Sequence, residues 1–201
     1  SVAFEHTHSI GKRVIVLGGG NTAMDCCRTA RRLGGEDVKV IVRSPFASMK
    51  ASPWEKEDAM HEDIPIIDNH VPKSFVIDDG KLAGMTFEKV EAVYDENGKR
   101  SLVPTGEPDV FYPADDVLIA VGQENSFPWI ERDLGVEFDK WEMPVVDRKT
   151  FQSTHPKVFF GGDAAFGPEN VITAVAHGHQ AAISIDLFCK GEDLHKRPDP
   201  F

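Results

Sequence analysis

The chain has 201 residues, 41% of them hydrophobic and 27% charged, the make-up of an ordinary globular protein long enough to bury the core of one or two domains. Its formal net charge of −11 opposes any broad electrostatic hold on nucleic acid or on an anionic membrane surface. No apolar run reaches membrane-spanning length, the N-terminal SVAFEHTHSIGKR lacks the zones of a signal peptide, and Cys26, Cys27 and Cys189 do not make a disulfide framework, so a cytoplasmic, reducing setting is expected.

The first element is a β-branched run, Arg13 to Leu17, without polar alternation, as expected of a buried parallel strand. Gly18, Gly19 and Gly20 end it. From Asn21 to Leu33 the residues Ala23, Met24, Cys27, Ala30 and Leu33 recur at helical spacing, and Gly34-Gly35 stops the helix. Val38 to Arg43 supplies a second strand and closes a βαβ unit. After a Pro- and Ser-rich loop a helix is expected from Trp54 to about Glu62. Ser52 precedes Pro53 and stands three residues before Glu55, a helix-start signature.

Residues 73–100 then change period and read as an antiparallel meander around the turn signals Asp79-Gly80 and Asn97-Gly98. A further buried strand is expected from Asp115 to Gly122, followed by a loop-rich stretch. Val158 to Phe160 reads as a strand running into Gly161-Gly162, with a long helix from about Asn170 to Phe188. The charged, proline-bearing tail, 191–201, is expected to fray.

Gly18, Gly20 and Ala23 fit G-x-G-x-x-A. Gly18 allows a tight turn, Gly20 lets backbone approach a pyrophosphate, and a small residue at 23 lets the helix pack closely on the strand. The pattern is weak alone, but here it lies between a strand and a helix and is followed by a second strand, which favours dinucleotide binding over a simple turn. Twenty residues after Ala23 stands Arg43. An acidic residue at that strand end would bind ribose hydroxyls, whereas an arginine suits a 2′-phosphate, so NADP(H) is expected rather than NAD(H). At the second glycine turn, Asp163 can accept sugar or ribityl hydroxyls, and the helix start at Asn170 and Val171 can stabilise negative charge. On these residues alone, an acidic loop before a helix is an equally good reading.

The segments VIVLGGGNTAMDCCRTARRLG, IVRSPFASMKASPWEKEDA, DDVLIAVGQ and VFFGGDAAFGPENVITAVAHGHQAA occur in the order and spacing of one family and cover most of residues 12–188. In them the chain resembles the two-dinucleotide-domain flavoproteins, most closely the β (small) subunit of NADPH-dependent glutamate synthase and its relatives. The resemblance implies an α/β fold: a Rossmann-type parallel sheet with an antiparallel β meander, plus the C-terminal part of an FAD-binding domain. The domain limits it implies are 10–122 for NADPH binding, 123–190 for the FAD-domain segment and 191–201 for the tail.

By the same resemblance, hydride passes from NADPH to FAD and electrons go on to an iron–sulfur centre or a partner subunit. Gly18, Gly19, Gly20, Asn21 and Thr22 would hold the NADPH pyrophosphate, and Arg43 the 2′-phosphate. Gly162 and Asp163 would face FAD, with Asn170, Val171 and Thr173 near the flavin ring. Gly122 and Gln123 would lie where the chain returns between domains. Two departures stand out. Ser44 replaces a second basic residue and Met49-Lys50-Ala51 replaces Met-Pro-Ala, so Lys50 is a candidate replacement charge. The family's first FAD glycine motif and its iron–sulfur cysteines would precede Ser1, and the chain is therefore expected to be a fragment or one half of a split protein.

Adjacent Cys26 and Cys27 point different ways on a helix and do not make a C-x-x-C redox pair. His177 and His179 do not share a helix face, His6 and His8 read as a solvated pair, and no metal-ligand set is expected. Hydride transfer needs positioning and electrostatics rather than a side-chain acid or base, so no catalytic residue is assigned. The alternative from another class is a non-catalytic NADP(H)-binding module.

Overall fold

A computed structural model describes residues 9–197; His6 and His8 lie outside them. The chain divides into two compact units, which meet in sequence between Gly122 and Gln123.

The first unit begins with β1 (Arg13–Leu17), α1 (Asn21–Arg32) and β2 (Asp37–Ile41), the βαβ unit read from the sequence. Helix α2 (Pro53–His61) and the short β3 (Ile66–Ile67) follow. Then come β4 (His70–Asp78), β5 (Lys81–Tyr94), β6 (Arg100–Pro104), β7 (Val110–Pro113) and β8 (Asp116–Ile119). The parallel sheet has the order β3-β2-β1-β8, with Val16 opposite Val40 on one side and Leu118 on the other. The meander is antiparallel, with β5 paired to β4, β6 and β7.

Strand β1 lacks polar alternation because both its faces are covered. Val14 and Val16 pack with Ala23, Met24, Cys27 and Ala30 of α1. Ile15 and Leu17 point the other way and pack with Met85 and Phe87 of β5. The unit is thus layered: helices, parallel sheet, antiparallel meander. Arg28 of α1 fastens the two helices, reaching Glu55 at 3.1 Å and Asp58 at 3.1 Å on α2 and Glu62, just past its end, at 2.8 Å. Among the described residues no helix is long and apolar enough to cross a membrane.

The second unit has a small core of Ile130, Val136, Phe160 and Ala165, with Phe127 and Phe138 packed against it. Its helices are α3 (Asp163–Phe166) and α4 (Val171–Lys190). The strand expected at Val158 to Phe160 does not form. Phe159 makes one isolated bridge to Gln152 and Phe160 donates to the Phe151 carbonyl, which falls short of a ladder because no regular strand lies alongside. Helix α4 starts and ends close to expectation, with Gly191 closing it in the left-handed conformation.

The expected fraying of the tail is also corrected as far as residue 197. Arg197 donates through Nη1 to the Gln180 carbonyl at 3.1 Å and through Nη2 to Ser184 Oγ at 2.9 Å, and it also reaches the Lys149 carbonyl. The planar guanidinium fork can satisfy several acceptors at once, and here it ties the segment after α4 back onto that helix.

Candidate functional site

In the first unit, the candidate residues converge where β1 passes into α1. Gly18 has φ +140° and comes so close to β8 that a β-carbon on it would lie 2.1 Å from the Ala120 carbonyl oxygen. Only glycine permits that approach. Gly20 is the residue before the first helical turn, with ordinary φ −100° and open space where a side chain would project. The two glycines therefore do different jobs: Gly18 closes the fold, and Gly20 leaves room above the helix end.

The main-chain N–H groups of Gly19, Gly20, Asn21 and Thr22 have no acceptor among the described residues. Four successive free amides at the start of a 12-residue helix form a concavity suited to an anion, reinforced by the positive end of the helix dipole. Ala23, two-thirds of a turn on, is fully buried against the sheet, the close helix–strand packing expected of that position.

Arg43 lies two residues beyond the end of β2 and is exposed; among the described residues it forms no ion pair. Its neighbour Val42 is placed against the glycine turn, since a β-carbon on Gly19 would meet Val42 Cγ1 at 3.3 Å and Met49 Cγ at 3.5 Å. Lys50 follows Met49 and is exposed. Gly19 is thus flanked by the two residues that precede Arg43 and Lys50.

The helix start expected at Ser52-Pro53 is found, without a side-chain cap. Ser52 does precede the helix and Pro53 does open it, but the Ser52 side chain makes no capping bond. Its Oγ accepts from Asn21 Nδ2 at 3.3 Å, and its N–H donates to Asn21 Oδ1 at 2.8 Å. The Asn21 amide side chain is therefore engaged by Ser52, which leaves the Asn21 main-chain N–H as its free polar group. The helix-start signature could not reveal a partner 31 residues away.

In the second unit, Gly162, Asp163, Asn170 and Val171 line one open concavity of about 520 Å³. Gly162 is at φ +59°, ψ −148°, a conformation open essentially to glycine alone. Asp163 Oδ1 accepts from Glu169 N–H at 3.2 Å, and the Asp163 carbonyl accepts from Asn125 Nδ2 at 2.7 Å. Asn170 caps α4: its Oδ1 accepts from Thr173 N–H at 2.8 Å and from Thr173 Oγ1 at 3.0 Å. Thr173 serves the cap and does not line the concavity. Gly122, at φ +101°, and Gln123 are both exposed at the junction in sequence.

Sequence reasoning passed over His177. Its Nδ1 accepts the Gly162 N–H at 3.1 Å, and its ring lies against Phe151 and Phe166. The spacing of His177 and His179 bears on metal ligation alone, and nothing in it signals a backbone acceptor. Burial pushes the Cys27 thiol up to about 11, and its Sγ donates to the Met24 carbonyl at 3.1 Å. Burial also raises Cys26. Neither thiol is poised as a thiolate.

The sequence model for pyridine nucleotide-disulphide oxidoreductases matches residues 2–178. The chain belongs to that family. It is 38% identical over 182 residues to the glutamate synthase [NADPH] small chain of Halomonas elongata, a match covering 87% of this chain and 38% of that one. It is 36% identical over 181 residues to the NADP(+)-dependent formate dehydrogenase subunit beta of Moorella thermoacetica, covering 90% and 25%. The fold matches Lactococcus lactis thioredoxin reductase with a TM-score of 0.73 at 21% identity, over 94% of this chain and 57% of that one. The chain spans well under half the length of the curated relatives it matches. The glutamate synthase resemblance and the mixed α/β architecture, with one parallel and one antiparallel sheet, both hold.

Proposed function

We propose that the first unit binds NADPH and that the chain acts within a longer flavoprotein as the part that takes reducing equivalents from it. The observation that carries this reading is the run of four free amides from Gly19 to Thr22 at the N-terminus of α1. In this reading the dinucleotide pyrophosphate accepts from those amides, with the open face of Gly20 admitting it. Arg43, exposed and without an ion partner among the described residues, pairs with the 2′-phosphate.

FAD is the proposed acceptor, and the residues of the second unit suit part of its site. Gly162 keeps the turn narrow, Asp163 offers a carboxylate to hydroxyl groups, and the capped start of α4 presents its positive end beside Asn170 and Val171. Domain limits of 10–122 and 123–190 follow from this assignment, with Gly122 and Gln123 as the passage between them. Bound flavin would supply two-electron acceptance from the nicotinamide and its onward release. The chain's own residues bind and orient; none is required to move a proton. Remaining flavin contacts, and an iron–sulfur centre or partner subunit that receives the electrons, are assigned to sequence beyond these residues.

Support for NADPH rather than NADH comes from Arg43 and from the two named relatives, whose names specify NADPH and NADP(+). Calorimetric titration of the chain with NADP(H) and NAD(H) tests the reading. The wild-type chain is expected to prefer the phosphorylated nucleotide, and Arg43→Ala to weaken it about tenfold or more while changing NAD(H) affinity little, since a charged phosphate contact is worth roughly 1.5–3 kcal/mol. Equal losses for both nucleotides would remove Arg43 from the 2′-phosphate site.

A further inference from the structure

We infer that Ser52 is a positioning residue for the nucleotide phosphates, acting through Asn21 and coupling the amide concavity to the cationic segment 43–50; this rests on the proposed NADPH site. Three hydrogen bonds fasten the end of that segment to the glycine turn. Ala51 N–H donates to the Gly19 carbonyl at 2.9 Å, Ser52 N–H donates to Asn21 Oδ1 at 2.8 Å, and Asn21 Nδ2 donates to Ser52 Oγ at 3.3 Å.

The geometry gives these bonds a specific consequence. Asn21 is the first residue of α1 and carries one of the four free amides, so whatever fixes Asn21 fixes the orientation of the concavity. Ser52 is the residue before α2, so the same pair joins the N-termini of both helices. Met49 and Ala51 are buried on either side of Lys50, which pins the Lys50 backbone while leaving its side chain in solvent. Val42 and Met49 meet at Gly19, so the whole loop from Arg43 to Lys50 is closed at both ends onto the turn. The Asn21–Ser52 pair is the side-chain part of that closure.

Ser52 is well suited to a clean test, because its hydroxyl makes no capping bond to α2. Ser52→Ala removes the bond from Asn21 Nδ2 without uncapping the helix and leaves the Ser52 N–H bond to Asn21 Oδ1, whereas Asn21→Ala removes both. Ser52→Ala and Asn21→Ala are each expected to weaken NADP(H) by about threefold to tenfold, the range for one or two exposed hydrogen bonds. NAD(H), which shares the pyrophosphate but does not use the cations, is expected to lose less than NADP(H).

The measurement is a double-mutant cycle of nucleotide affinity by calorimetry, with thermal melting of each variant as a check on folding. In the Asn21→Ala background, Ser52→Ala should cost nothing further, and Ser52→Thr in the wild-type background should retain affinity. Amide hydrogen exchange at Ala51 and Ser52 without nucleotide is expected to speed up in Asn21→Ala. Additive losses, equal losses for both nucleotides, or full affinity in Ser52→Ala would overturn the inference while leaving the NADPH reading standing. A well-folded wild-type chain that binds neither nucleotide would overturn both.

Discussion

Gly18 and Ala120 approach so closely that a β-carbon on residue 18 would sit 2.1 Å from the Ala120 carbonyl oxygen, whereas a β-carbon on Gly20 would meet nothing within 4 Å. Two glycines of one motif therefore answer to different constraints, and substitution separates them. Gly18→Ala must push β8 away and also hold alanine at φ +140°, at a cost of about 3 kcal/mol or more. Gly20→Ala keeps an ordinary backbone at a helix N-cap, where alanine is less favourable than glycine by roughly 0.5–1 kcal/mol, yet it fills the space proposed for the pyrophosphate. Thermal melting should show a large drop for the first and little for the second, while NADP(H) affinity should fall about tenfold in Gly20→Ala. Equal affinity in Gly20→Ala and wild type would argue against a pyrophosphate above that residue.

Much of this arrangement was legible in the sequence, for reasons that differ by residue. The βαβ unit could be read because β1 is buried on both faces and α1 buries Ala23, Met24, Cys27 and Ala30 on one, so period alone distinguishes them. Arg43 could be placed by counting from Ala23, since strand and helix lengths fix the spacing. The two-residue strand β3 carries too short a pattern to register. Ser52 and Pro53 marked the start of α2 correctly, but the tertiary partner of the Ser52 hydroxyl, Asn21, lies beyond any local pattern. The segment at Val158 to Phe160 has strand composition, and what it lacks is a regular neighbour, which no local pattern encodes.

The family name includes disulphide chemistry, but the thiols of this chain are not arranged for it. Cys27 is buried, its thiol is pushed up to about 11, and Cys26 is raised as well, whereas Cys189 is exposed. Timed alkylation of the native protein near pH 8 should label Cys189 first and Cys27 only after unfolding, because the thiolate is the reactive form. Rapid labelling of Cys27 in the folded protein would contradict its placement. Cys27→Ala should leave nucleotide binding intact and cost about 1 kcal/mol of stability through the small space it opens.

Asp115 links β8 to β1 and sets an acid limit on the first unit. Its carboxylate accepts from the Arg13 guanidinium and, at 2.8 Å, from the Arg13 N–H, which lower it from the usual 3.8 to about 2. A group depressed in the folded state adds stability that is fully present above its unfolded value and is lost as pH falls through the folded one. The contribution is therefore expected to be constant at neutral pH and to disappear between about pH 4 and pH 2. Asp115→Asn should lower stability at pH 7 and show a shallower decline over that acid interval than wild type, measured by denaturant unfolding at a series of pH values. Parallel curves for the two proteins would show that Asp115 carries no such linkage.

His177 decides how firmly the second glycine turn is held. Gly162 is buried, and its N–H has the His177 Nδ1 as acceptor at 3.1 Å. The ring is itself wedged between Phe151 and Phe166, with centroids 5.1 Å and 4.8 Å away, so it cannot swing aside without opening that packing. His177→Ala removes the acceptor and the ring together, leaving a buried N–H unsatisfied at a cost of about 1–3 kcal/mol. The expected readout is faster hydrogen exchange at Gly162, with melting of the first unit's signals unchanged. His177→Asn offers a shorter side chain that still carries an acceptor, and any protection it restores at Gly162 reports the hydrogen bond rather than the ring. Exchange at Gly162 that stays as slow in His177→Ala as in wild type would mean that the turn is held by Gly162's own backbone conformation, at φ +59° and so close to Ala174 that a β-carbon on residue 162 would lie 3.2 Å from the Ala174 side chain, and that the histidine is only filling space.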